Sequence, residues 1–100
     1  MTEGDGTRIV VISPRLRDLL RAGRTRAHLT QAQAAHKAGI SEIWWSQLET
    51  GVRSVTKPDT LVSMAEVVRI PPRALEKVGY PELAGALRDR LDWFAGEAFA

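Results

Sequence analysis

The chain has 100 residues and a mass of 11.0 kDa, room for one compact domain with its own core and not for two. With 44% hydrophobic and 26% charged residues it has a globular composition; it has no cysteine for a disulfide framework and no apolar run near the ~20 residues that span a bilayer. The net charge of +2 is unevenly spread: residues 1–57 hold nine basic and five acidic side chains, whereas residues 58–100 hold five and seven. A basic stretch beside a mildly acidic one suits a polyanion-facing surface and a separate protein-contact surface, or a solvated surface with chance asymmetry.

Residues 1–7, MTEGDGT, read as a loose tail without the basic n-region of a secretory signal. Arg8 to Ile12 is a β-branched run, a candidate short strand. It either pairs with the same strand of a second copy or lays Ile and Val into the core. Ser13-Pro14 supplies a cap and a first-turn proline, and Leu16, Leu19 and Leu20 make an apolar stripe opposite arginines. Thr30-Gln31-Ala32-Gln33 spells a capping box. Ala34, Ala35 and Ala38 give the second helix a small-residue face, and Gly39 stops it. Ser41 caps a third helix through Trp45 and Leu48 to Gly51. Pro58 and Asp59 open a fourth, with Leu61, Met64, Ala65 and Val68 on one face, ended by Pro71-Pro72. A short helix spans Arg73 to Val78 and closes at Gly79; Pro81 starts a last one with Leu83, Leu87, Leu91, Phe94 and Ala98 on one stripe. The fold class is all-α, with five or six short helices.

Two helices joined by a tight, glycine-containing turn (Ala38 to Ser41) mark a helix-turn-helix. On the third helix, at about 100° per residue, Ser41, Trp45, Leu48 and Val52 gather on a core side, and Glu42, Ile43, Ser46 and Gln47 on the other. Three segments carry a resemblance to the Cro/repressor (XRE-type) DNA-binding family: LTQAQAAHKAGIS (Leu29 to Ser41), SQLETG (Ser46 to Gly51) and TLVSMAEVVRIP (Thr60 to Pro71). It covers roughly residues 15–78. It implies a five-helix repressor-like domain over 13–79, preceded by a tail and candidate strand over 1–12 and followed by an amphipathic helix over 80–100. That added helix either packs back on the domain or mediates dimerisation.

The resemblance also implies a sequence-specific, double-stranded-DNA-binding regulator, a repressor of bacterial or phage origin, cytoplasmic and cofactor-free. The third helix (42–50) would lie in the major groove. Base contacts would come from Glu42, Ile43, Ser46 and Gln47. Gln47 suits a bidentate pair with adenine, Glu42 a cytosine amino group and Ile43 a thymine methyl. Glu42 at a helix start also satisfies the macrodipole without DNA. Phosphate contacts would come from Gln31, Trp44, Thr50, Arg53, Ser54 and Lys57. Trp44 either tucks under the following loop or lies against the groove wall. Arg24 is expected to pair with Glu49, with Arg21 competing because Gly23 stands where a core leucine is usual. Trp45 against Ala34 reads as volume-compensated packing.

An enzyme reading finds little to build on. His28 and His36 lie eight apart without ligand partners, and no phosphate loop or nucleophile elbow is present. The alternative is an antitoxin or co-regulator whose main partner is another protein. Homodimerisation through the last helix or the N-terminal strand is a further expectation, with Trp93 leaving apolar surface on that helix.

Overall fold

The structure is a computed structural model that describes the backbone of residues 8–99 and the side chains of residues 8–92. The expectations for the tail over 1–7 and for the side chains of Trp93, Phe94 and Ala98 lie outside the described residues.

The chain order is β1 (Val10–Val11), α1 (Pro14–Arg26), α2 (Gln31–Ala38), α3 (Glu42–Thr50), β2 (Val55–Thr56), α4 (Pro58–Val67), α5 (Pro72–Lys77) and α6 (Pro81–Phe99). The caps fall where the sequence puts them. Ser13 accepts from the Leu16 N–H, Thr30 and Gln33 close a reciprocal box, and Ser41 accepts from the Trp44 N–H. Prolines occupy the first turns of α1, α4 and α5.

One core runs through the domain. Leu16 and Leu20 of α1, Ala34 and Ala35 of α2, and Trp45 and Leu48 of α3 meet Leu61, Val62, Met64 and Ala65 of α4. Leu75 of α5 and Leu83, Ala84 and Leu87 of α6 complete it. Trp45 and Ala34 are both fully buried, as volume compensation requires. At Gly23 the approach of α1 to the end of α4 is so close that a Cβ would lie 3.0 Å from both Val68 Cγ2 and the Val68 carbonyl oxygen. That crowding explains why no leucine stands there.

Three expectations are corrected and one, for α6, is refined. The N-terminal strand does more than lay side chains into the core: β1 pairs antiparallel with β2 of the same chain, Val10 opposite Thr56 and Val11 opposite Val55. Ile12 is the residue of that run that enters the core, and its N–H donates to the Ser54 carbonyl at 2.8 Å. Helix α4 ends at Val67, ahead of the prolines, because Arg69 adopts a left-handed φ of 59°. On α6, Leu83 and Leu87 are buried but Leu91 is 41% exposed, so the stripe outruns the body of the domain. On α3, the supposed core side loses its two ends: Ser41 is an exposed cap, and Val52 lies beyond Gly51 and is 78% exposed.

The last helix is tied down by polar contacts as well. Tyr80, just before α6, donates its hydroxyl to the Val11 carbonyl at 2.6 Å and accepts from the Ser13 N–H at 2.9 Å. Arg90 donates to Glu66 and Ser63 of α4, each at 3.1 Å.

Candidate nucleic-acid interface

Helices α2 and α3 can sit close because the residues between them are small. Ala34 and Ala35 offer no bulk, and Gly39 at φ 77° turns the chain in the left-handed region that costs an L side chain. The Ile40 N–H returns to the Ala35 carbonyl at 3.0 Å, completing the C-terminal turn of α2. Ser41 then starts α3 at once. The angle between the two helices is therefore fixed by backbone hydrogen bonds and by Trp45 filling the space beneath.

Glu49 fixes α3 from behind. Its carboxylate, 1% exposed, accepts from Arg24 Nε at 2.7 Å and Nη2 at 2.8 Å, from Gln31 Nε2 at 2.8 Å and from Trp45 Nε1 at 3.0 Å. Burial pushes its pKa up, but the hydrogen bonds from Arg24, Gln31 and Trp45 outweigh that, and the net shift is downward. Its hydrogen bond raises the Arg24 pKa in return. Arg21 stands 3.9 Å away, an outer member of the cluster rather than the main partner. Arg24 also donates to the Leu29 carbonyl at 2.9 Å, so one guanidinium joins α1, the loop before α2, and α3.

The opposite face of α3 carries the residues expected to meet bases. Glu42 and Ile43 are exposed, Ile43 to 70%, and Ser46 and Gln47 are half-buried beside them. The expected phosphate residues divide. Ser54 and Lys57 are exposed in the segment between α3 and α4. Thr50 is exposed and donates its hydroxyl to the Ser46 carbonyl at 2.8 Å. Gln31 turns its amide inward to Glu49. Trp44 is half-buried against the core with the Arg53 guanidinium 4.0 Å from its ring centroid, which is packing under the loop. Arg53 also donates Nε–H to Gln47 Oε1 at 3.3 Å.

Two clusters thus emerge where the sequence suggested separate roles: Gln31 and Trp45 with Glu49, and Trp44 and Gln47 with Arg53. The Trp45–Glu49 spacing of four residues was a legible signal for the first. The second depends on the chain reversal at Gly51, φ 90°, which brings the Arg53 N–H back to the Gln47 carbonyl at 3.0 Å.

Residues 15–78 match the helix-turn-helix domain family. The HTH-type transcriptional repressor RghR of Bacillus subtilis (strain 168) is 42% identical over 64 residues, which make up 63% of this chain and 47% of RghR. The chain therefore spans about half the length of that curated relative. No solved structure matches it. With the tight α2–α3 turn, the buried Arg24–Glu49 pair and a match over most of its length, the chain belongs to the helix-turn-helix family of the Cro/repressor (XRE) type.

Proposed function

We propose that this chain regulates transcription by sequence-specific binding of double-stranded DNA, as a repressor of bacterial or phage origin, with α3 in the major groove. The observation that carries this reading is the two-sided character of α3. Its inner side is locked by Trp45, Leu48 and Glu49, while Ile43 stands 70% exposed on the outer side, where the fold gives it nothing to pack on. A rigid helix that presents Glu42, Ile43, Ser46 and Gln47 outward has the geometry that base-edge recognition needs. The action is occupancy of DNA, without chemistry on a substrate.

Thr50 at the end of α3, with Arg53, Ser54 and Lys57 on the segment that follows it, are the groups proposed to meet phosphates. Gln31 joins them with the second hydrogen of its amide while the first stays on Glu49. Trp44 contributes through the Arg53 side chain that it supports.

The test is Gln47→Ala. The loss should be ~1–3 kcal/mol on the specific site and close to nothing on random DNA of equal length. Titrations of both duplexes at one salt concentration decide it. Equal losses on the two would remove Gln47 from base recognition.

A further inference from the structure

The two ends of the Gln47 amide are not equally free. Gly51 reverses the chain, so that Gly51 and Arg53 both donate their N–H groups to the Gln47 carbonyl, at 3.1 Å and 3.0 Å. This brings the Arg53 side chain back over α3. Its guanidinium lies 4.0 Å from the centroid of the Trp44 ring, one turn before Gln47, and its Nε–H donates to Gln47 Oε1 at 3.3 Å. Among the described residues nothing hydrogen-bonds to Gln47 Nε2. Arg53 takes one of the two lone pairs of Oε1 and so turns the acceptor end of the amide toward itself, while both hydrogens of Nε2 are left without a partner among the described residues.

This matters because the two purines ask for different ends. Adenine in the major groove offers an N6 donor and an N7 acceptor, so a glutamine that reads it uses both Oε1 and Nε2. Guanine offers two acceptors, N7 and O6, which the amide nitrogen alone can serve. We propose that Arg53, stacked on Trp44, is a positioning residue that presents Gln47 to the groove as a donor, so that the base read by Gln47 is guanine rather than adenine. The inference rests on α3 being the groove helix and adds what the sequence could not give: a direction for the amide. It leaves the terminal nitrogens of Arg53 available to a phosphate.

The experiment uses the whole chain. A site is selected from a random duplex library, and the base pair read by Gln47 is located as the one whose preference disappears in Gln47→Ala. Dissociation constants are then measured by fluorescence anisotropy with each of the four base pairs at that place. Two variants probe the arrangement. Arg53→Lys keeps the charge but loses the planar Nε–H donor, and Trp44→Leu removes the stacking surface.

The wild-type chain is expected to favour guanine over adenine. Arg53→Lys and Trp44→Leu should both shift the ratio toward adenine, by roughly fivefold or more, because the amide, no longer held in that rotation, can turn Oε1 toward the adenine N6 amino group. The NMR order parameter of the Gln47 side-chain amide should fall in both variants. A guanine-to-adenine ratio that is the same in wild type and Arg53→Lys overturns the proposal, as does a wild-type preference for adenine. If Trp44→Leu fails to fold, Arg53→Lys decides alone. If Gln47→Ala changes the preference at no base pair, the groove reading of α3 fails, and the inference falls with it.

Discussion

Glu49 shows how one buried charge can hold α3, the proposed groove helix, in place. A carboxylate with almost no exposure is costly to bury unless its lone pairs are filled, and here Arg24, Gln31 and Trp45 fill them. Removing Arg24 should cost about 3–5 kcal/mol of stability at neutral pH, because the carboxylate stays buried without its main counter-charge. The pH dependence should also change sign. In the wild type the Glu49 pKa is lowered by folding, so its contribution is complete above the unfolded value of about 4.3 and is lost as pH falls through the lower folded value. In Arg24→Ala, burial is opposed only by the hydrogen bonds from Gln31 and Trp45, so the folded pKa should rise above the unfolded one and the variant should gain stability as pH falls through that raised value. Denaturant titrations between neutral and mildly acidic pH read both effects. A loss below about 1 kcal/mol would mean that Arg21, now 3.9 Å from Glu49, takes the place of Arg24. The Arg24–Glu49 pair was legible in the sequence only through the family pattern. The donors Gln31 and Trp45 were not named, since Gln31 looked like an outward helix-start residue and Trp45 like plain core. Ile43, by contrast, was legible from helical phase alone, because 100° per residue puts it opposite Trp45 and Leu48.

At the scale of elements, capping chemistry was the most legible part of the fold. Ser13, Thr30 and Ser41 each cap the helix that the sequence assigns to them, because a cap is a local hydrogen bond between residues two or three apart. What depends on distant partners was not legible. The pairing of β1 with β2 joins residues more than forty positions apart, and Val55-Thr56 is too short a run to announce itself as a strand. The end of α4 differs from the sequence expectation for another reason: proline marks where a helix cannot continue, but Arg69 leaves helical geometry before that limit is reached. The sequence leaves α6 open between packing and dimerisation, and burial separates its first two turns from Leu91. Leu87 is fully buried and Leu91 is 41% exposed. Leu87→Ala should therefore destabilise the domain by about 2–5 kcal/mol through the cavity that it leaves. Leu91→Ala should cost well under about 1 kcal/mol in the monomer. Thermal unfolding and sedimentation on the same samples test this. A Leu87→Ala protein with an unchanged melting temperature would contradict the packing of α6 on the core. A mass that falls only in Leu91→Ala would place a contact between copies on the outer half of α6.

For the whole molecule, the uneven charge becomes a spatial statement. The loop between α3 and α4 lies in the part of the chain that carries the excess of basic residues. In the acidic part, Arg88 is engaged by Glu76 at 2.6 Å and Arg90 by Glu66 at 3.1 Å, so two of its five basic side chains are paired within the fold. DNA binding should therefore draw its salt dependence from one side of the molecule. Each phosphate contact neutralised by a lysine or arginine adds about one to the steepness of log K against log salt. Lys57 and Lys77 make a matched pair for this test: both are exposed, but Lys57 stands just before α4 on the segment that follows the proposed groove helix, whereas Lys77 is the last residue of α5. Lys57→Gln should reduce the slope by about one, on specific and random duplexes alike, while Lys77→Gln should leave it unchanged. Both substitutions remove the same charge, so the overall field of the protein changes equally in the two variants. Equal reductions in slope would mean that net charge rather than a placed contact governs the affinity, and Lys57 would lose its role. A reduction confined to Lys57 would fix the side of the domain that DNA approaches, independently of which bases α3 reads.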